Sequence, residues 1–375
     1  MEDPFVFGTA TSEPCFTDRE NETQRLKLNF LHGINTMLIS PRRWGKTSLV
    51  KHVADSLKNE KDVKVVMMDI FSCRNEHQFY KMFATEIIKQ TSSKWEEWVA
   101  DAKKFLGGLV PKISLDVDPV TDLTFSFDFS ETHFNADVLS LPEKIAESKG
   151  IKVVVCIDEF QQIADFSDSL LFQKKLRSVW QLQQNVTYCL FGSKKHILAG
   201  LFSKPSCPFY KFGDILFLQK IPTSYWSDFI MSRFAATGKS ISKELTEEIC
   251  AFVENHSSYV QQLSWIVWTK TEKTATREIL EKSKTELLNQ SSILFQNYID
   301  ELTGFQINFL LAMSDGIQSE FSRKEILTRY DLGTAANITR LKKSLEAKDL
   351  IDIEARKITF NDPVFAHWIR LNIVR

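Results

Sequence analysis

Lys46 and Thr47 close the segment Ser40-Pro41-Arg42-Arg43-Trp44-Gly45-Lys46-Thr47-Ser48, which lies between an apolar run and a helix-forming one. The spacing is that of the phosphate-gripping loop G-x-x-x-x-G-K-[ST], with Ser40 where the first glycine would stand. Each residue type has a physical job in such a loop. Gly45 lets the chain turn so that successive backbone N–H groups point at phosphate oxygens, and the helix starting near Lys46 adds the positive end of its dipole. Lys46 reaches the β- and γ-phosphates as a compact charge, and the Thr47 hydroxyl is a ligand for Mg2+. Ser40 is small, which softens the loss of the glycine. The whole segment, residues 40–48, is the expected nucleotide-binding loop.

A second cluster follows downstream, in Ile151-Lys152-Val153-Val154-Val155-Cys156-Ile157-Asp158-Glu159. An apolar strand ending in two carboxylates presents them at the edge of the sheet where open α/β folds bind ligands. Asp158 is expected to hold the metal and Glu159 to act as general base on the attacking water. Without Lys46 upstream, the same run would read equally well as a strand meeting solvent. The pairing of two acids is what favours hydrolysis over binding alone. A third position, Ser193 in Phe191-Gly192-Ser193, ends another apolar run and is a candidate sensor of the γ-phosphate, although Gly-Ser is also an ordinary turn. No Asn-Lys-x-Asp follows a strand to read guanine; the nearest string, Thr269-Lys270-Thr271-Glu272, ends a helical stretch, so ATP is preferred to GTP.

These residues need a scaffold, and the first half of the chain supplies its pattern. Apolar runs at 36–39, 63–71, 152–158, 186–191 and 215–218 alternate with helical periodicity at 46–58, 76–89 and 169–181. The runs are apolar throughout, as strands of a parallel sheet covered on both faces must be. The expected fold is an α/β P-loop nucleotide-binding domain over residues 1–221 with a parallel five-stranded core sheet. Between about 108 and 130 the rhythm changes to strict alternation (Ile113, Leu115, Val117, then Leu123, Phe125, Phe127, Phe129), which predicts an inserted β-hairpin.

From Pro222 the strands stop, and helical stretches at 223–237, 242–255, 258–270 and 274–301 form an all-α lid over 222–301. Residues 302–375 change pattern again. A helix at 305–313 is followed by one capped by Ser322 and one capped by Thr334, then by short strands at 350–353 and 357–360. Three helices and a small hairpin make a winged helix-turn-helix. Its third helix offers Asn337, Thr339, Arg340, Lys342 and Lys343, and the wing Arg356 and Lys357, to DNA phosphates. Glu346, Asp349, Asp352 and Glu354 are interleaved, so docking of a protein partner is weighed slightly above DNA.

The strings SPRRWGKTSL, IDEFQ, FGS and NDPVFAHWI together resemble the archaeal-type ATPase family, a STAND group relative of the AAA+ ATPases. The resemblance runs over nearly the whole chain and implies the order nucleotide domain, helical lid, winged helix. It implies a nucleotide-dependent switch or motor acting on a macromolecular partner, or an ATP-gated regulator with slow or no turnover. It further implies that Phe16, Arg19, Glu20 and Glu22, matching the family's F-x-x-R-E-x-E, line the adenine side. A lid contact would fall at His256-Ser257-Ser258-Tyr259, where this chain lacks the family's proline. An arginine from the lid or from a neighbouring copy is a further feature of related ATPases, with Arg177 and Arg233 as candidates.

The 375 residues are 43% hydrophobic and 25% charged, enough to bury a large core, and a net charge of −1 gives no global pull toward nucleic acid or acidic membrane. The acidic N-terminus does not look like a signal peptide, and no apolar run is long enough to span a membrane. Six scattered cysteines without a Cys-x-x-Cys pair fit a reducing cytoplasm and argue against disulfides and zinc. The 29 phenylalanines are read as packing. A homo-oligomer is left open.

Overall fold

The computed structural model describes residues 3–9, 17–92, 97–98, 101, 104–105, 114–116, 124–126, 138–354 and 357–373, and these pack as two compact units, one of residues 19–219 and one of residues 1–18 with 220–375. In the first unit, helix α1 (Glu20–Leu31) precedes strand β1 (Thr36–Ile39), α2 (Lys46–Ser56), β2 (Val63–Asp69) and α3 (Glu76–Thr91). A hairpin of β3 (Ser114–Asp116) and β4 (Thr124–Ser126) pairs antiparallel, with Leu115 opposite Phe125; the rest of the predicted alternation lies outside the described residues. Then follow α4 (Leu141–Lys149), β5 (Lys152–Asp158), a short 3-10 turn at Phe160–Asp165, α5 (Ser169–Trp180), β6 (Val186–Gly192), α6 (Lys195–Ser203) and β7 (Asp214–Phe217). Helices α4 and α6 are not among the expected elements; each is only nine residues long.

The core sheet has the order β2-β5-β6-β1-β7 and is parallel throughout. All five strand ends that matter for chemistry therefore lie along one edge. Register pairs Ile39 with Gly192 and Asp158 with Asp69. Strand β6 is fully buried and separates β1 from β5, so the residue after β6 falls between the loop after β1 and the acids after β5.

One sheet face (Met37, Ile39, Val66, Val155, Ile157, Leu190) is packed into an aromatic layer from α3, the 3-10 turn and α5. Phe79 stacks on Phe83, Phe172 meets Phe79 edge-on, and Trp180 stacks on Tyr188 at 4.1 Å between ring centres. Such pairs add roughly 0.5–1.5 kcal/mol each beyond area burial. Many of the described phenylalanines are buried in packing, although Phe71, Phe217 and Phe305 are exposed. Helix α1 is fastened to the sheet by polar contacts: Asn29 Nδ2 donates to Thr36 Oγ1 at 3.0 Å and to Asp214 Oδ2 at 2.9 Å, and Arg25 Nε donates to the same carboxylate at 2.8 Å.

The second unit holds helices α7 (Thr223–Ala236), α8 (Lys243–Phe252), α9 (Ser257–Lys270) and α10 (Arg277–Asp300), then α11 (Gly304–Ser314), α12 (Lys324–Arg329), α13 (Ala335–Ala347), the hairpin β8 (Ile351–Glu354) and β9 (Lys357–Phe360), and α14 (Pro363–Asn372). Both halves share one hydrophobic core. Trp368 Nε1 donates to Ser292 Oγ at 3.0 Å, and Tyr259 Oη to Asp362 Oδ2 at 2.6 Å, across the expected boundary near residue 301. Local signals set several helix starts: Thr303 and Gln306 form a capping box, and Thr276 and Asp362 accept backbone N–H bonds.

Ser322 is not the cap that the sequence suggests. The backbone turns tightly at Glu320, whose carbonyl accepts the Arg323 N–H at 3.0 Å, and Arg323 becomes the N-cap without a side-chain bond. Thr334 occupies the cap position of α13, also without one. The first residues belong to this unit: Phe5 is buried against Phe229 and Phe234, and Arg233 Nε donates to the Pro4 carbonyl at 2.9 Å. Among the described residues no helix is long and apolar enough to cross a membrane, and five cysteines are free thiols.

Candidate functional site

The loop 40–45 joins β1 to α2 through two left-handed residues, Arg43 at φ +62° and Gly45 at φ +90°. Left-handed residues alternating with others along a loop turn backbone N–H groups inward as an anion-binding concavity. Gly45 caps α2 without a side chain, so the positive end of the helix is presented directly to the loop's interior. A Cβ at Gly45 would strain the backbone, whatever the space around it. Ser40 is buried and its hydroxyl donates to the Pro41 carbonyl at 3.1 Å, which stands in for the missing glycine by fixing the loop's entry. Arg42 and Arg43 point to solvent.

Lys46 is buried, and its Nζ donates to the carbonyls of Ser40 at 3.2 Å and Pro41 at 2.8 Å. The ammonium thus lies folded over the loop, within reach of any anion the loop takes up. One residue on, Thr47 Oγ1 donates to Asp158 Oδ2 at 2.7 Å, although 111 residues separate them. The two motifs read from sequence therefore meet, across the width of β6.

Asp158 has its carboxyl raised from 3.8 to about 6, chiefly by burial, with Glu159 and Asp69 adding repulsion and the bonds from the Thr47 hydroxyl and the Glu159 backbone N–H working against it. A carboxylate that burial makes reluctant to ionise is one whose charge a cation would relieve. The donor set, one hydroxyl and one carboxylate, suits a hard oxygen-seeking ion such as Mg2+. Among the described residues no group of three or more His, Cys, Asp or Glu could hold a metal, so other ligands would come from phosphate and water. Folding takes up a proton at Asp158 between the two values, so the metal-free protein loses stability as pH rises from about 4 to about 6. Asp158→Asn is accordingly expected to stabilise the magnesium-free protein at pH 7 by at most about 3 kcal/mol, at 1.36 kcal/mol per pKa unit, and so to raise its melting temperature. It should also abolish the stabilisation that added magnesium gives the wild type. Thermal melts at pH 5 and 7, with and without magnesium, check both; an unchanged melting temperature at pH 7 contradicts the expectation.

Glu159 adopts a left-handed backbone (φ +54°) immediately after β5, which turns its side chain off the strand line. Its Oε2 accepts from Ser193 Oγ at 3.1 Å and also from Gln161 Nε2. Ser193 and Glu159 are therefore brought together, with Ser193 on the carboxylate itself. Gln161 was invisible as a site residue in sequence, being one amide in the string IDEFQ. The signal is steric: a Cβ on Gly192 would lie 1.9 Å from Gln161 Oε1, so any side chain at 192 would displace that amide. Asp69 was also missed; it ends β2 beside Asp158 by register alone.

Of the residues that the family resemblance pointed to, Arg19 is buried, and its guanidinium donates to Glu22 Oε1 at 3.0 Å and to the Trp44 carbonyl of the phosphate loop at 3.5 Å. Phe16 lies outside the described residues, as does Arg356 of the wing. His256 is the N-cap residue of α9, and Tyr259 is engaged with Asp362. Neither candidate arginine is idle: Arg177 lies over the Phe212 ring at 4.7 Å, and Arg233 is bonded to Pro4.

Residues 293–371 match a family model described as a probable winged helix domain. Among solved structures, the Walker-type ATPase PABY2304 of Pyrococcus abyssi aligns with TM-score 0.69 at 16% identity, over 98% of this chain and 99% of that one. The ORC2 protein of Aeropyrum pernix, in ADPNP–ADP complexes, aligns with TM-score 0.61 at 14% identity, over 98% and 96%. No curated protein matches by sequence. At such identities the shared property is the fold alone.

Proposed function

We propose that the chain binds ATP with magnesium at the loop 40–48 and hydrolyses it, serving as a nucleotide-dependent switch or motor on a macromolecular partner. The observation that carries this reading is the 2.7 Å bond between Thr47 and Asp158, which joins a phosphate-gripping loop to an acid on a different strand. In this reading the loop N–H groups and Lys46 hold the phosphates, and Glu159 takes a proton from water as the water oxygen bonds to the γ-phosphorus. The bond from that phosphorus to the β-phosphate oxygen breaks, leaving ADP and inorganic phosphate. Magnesium, when bound by Thr47 and Asp158, would supply neutralisation of phosphate charge. Free cysteines suit the cytoplasm as the place of action.

The rival reading is an ATP-gated regulator with slow or no turnover. Steady-state phosphate release with radiolabelled ATP separates the two: many turnovers per chain support the hydrolase, whereas one ATP retained intact per chain supports the gated regulator.

The partner is proposed to meet the winged helix. On α13 the exposed positions Ala335, Ala336, Thr339, Arg340, Lys343 and Ala347 carry two cations and no acid, and Glu346 is only half-exposed. The interleaved acids thus leave this face clean, which favours DNA more than composition alone does. Losing two phosphate contacts lowers the salt slope by about 2. If DNA is the partner, Arg340→Ala/Lys343→Ala should weaken duplex binding for all sequences alike and flatten its salt dependence by that amount. Fluorescence anisotropy over a salt series reads this; unaltered binding points to a protein partner. The mass of the protein with and without nucleotide tests for a homo-oligomer.

A further inference from the structure

We propose that Gln161 is the positioning residue of the hydrolytic carboxylate, anchoring Glu159 through one oxygen so that the other faces the water. This rests on the hydrolase reading and gives a role to a residue of that site to which the sequence assigned none. The geometry has four parts. Both side-chain donors on Glu159, Gln161 Nε2 and Ser193 Oγ, converge on Oε2, and no described side chain donates to Oε1. A carboxylate held by one oxygen keeps the other as a directed proton acceptor.

Gln161 is itself buried, at 5% exposure, so its amide has little freedom to swing. Its Oε1 is buried without a hydrogen-bond partner, which would ordinarily favour a reversed amide. Reversal would set that oxygen against the Glu159 carboxylate, so the amide stays as it is and its donor stays on Glu159. Lastly, Gly192 gives the amide its place, since a Cβ there would sit 1.9 Å from Gln161 Oε1 and 3.3 Å from the Glu159 Cα. The end of β6, the turn after β5 and the acid are thus one steric unit, in which the tightest approach to Gly192 is that of the Gln161 amide.

The test is steady-state and single-turnover phosphate release by the full chain with Mg·ATP, for wild type, Gln161→Met, Gln161→Ala, Gly192→Ala and the double variant Gln161→Ala/Gly192→Ala. Gln161→Met keeps the length and volume of the side chain and removes only the amide. Its kcat is expected to fall about 10–100-fold, the scale of a misoriented catalytic group, with KM for ATP little changed. A merely structural role would not split kcat from KM in this way. Gly192→Ala should cost a similar factor alone and clearly less in the Gln161→Ala background, where the 1.9 Å clash is gone and only the 3.3 Å approach to the Glu159 Cα remains. Gln161→Met with wild-type kcat, or a loss confined to KM, overturns the proposal while leaving hydrolysis standing. A wild type without turnover overturns the hydrolase reading and this proposal with it. Should Gly192→Ala fail to fold, the Gln161→Met comparison still decides the matter.

Discussion

Glu159→Gln is expected to bind ATP as tightly as the wild type and to release phosphate about 10²–10⁴-fold more slowly, the usual contribution of a general base. The substitution is nearly isosteric, so the left-handed turn after β5 and the contact with Ser193 can persist; what is lost is the capacity to accept a proton. The Thr47–Asp158 pair is untouched, so the metal position remains. Removing the Glu159 charge also relieves one of the repulsions that raise the Asp158 carboxyl. Quench-flow phosphate release alongside equilibrium ATP binding separates chemistry from affinity. A variant that turns over at the wild-type rate would remove Glu159 from the mechanism and leave the gated-regulator reading in its place.

Lys46→Ala should have the opposite profile, with the loss appearing in affinity. The ammonium is the one cation buried within the loop, and truncating one member of a buried charge contact costs about 2–5 kcal/mol, roughly 30- to several-thousand-fold in Kd. Part of that cost falls on the nucleotide-free state. The Ser40 and Pro41 carbonyls each lose a donor, at 3.2 and 2.8 Å, so the loop itself should loosen and the melting temperature drop modestly. Isothermal titration with ATP and with ADP, beside a thermal melt, distinguishes the two losses. Full ATP affinity in a folded Lys46→Ala protein would falsify the placement of phosphates at this loop.

The elements of residues 19–219 were largely legible because a parallel sheet buried on both faces forces its strands to be apolar throughout. Strands β1 and β5 fall where the apolar runs fall, and the hairpin at 114–126 follows the alternation. Helix starts were less legible. Thr276 caps through its side chain, while Thr334 at an equally favourable position does not, and Ser322 yields the role to Arg323 because the turn at Glu320 comes first. A propensity states what a residue can do, and the local backbone decides whether it does so.

Lys46, Thr47, Asp158 and Glu159 could be named from sequence because their chemistry demands fixed spacing from a loop and from a strand end, and those spacings are local. Their meeting could not be, since it depends on strand order. Only the arrangement β2-β5-β6-β1-β7 places Ser193 between loop and acids, sets Asp69 beside Asp158 and lays Gln161 against Gly192. Hydrophobic pattern fixes which face of a strand is buried, but it carries no label for the neighbouring strand. That choice is made by packing across the whole sheet, and it is packing that adds an amide to the acid the motif supplies.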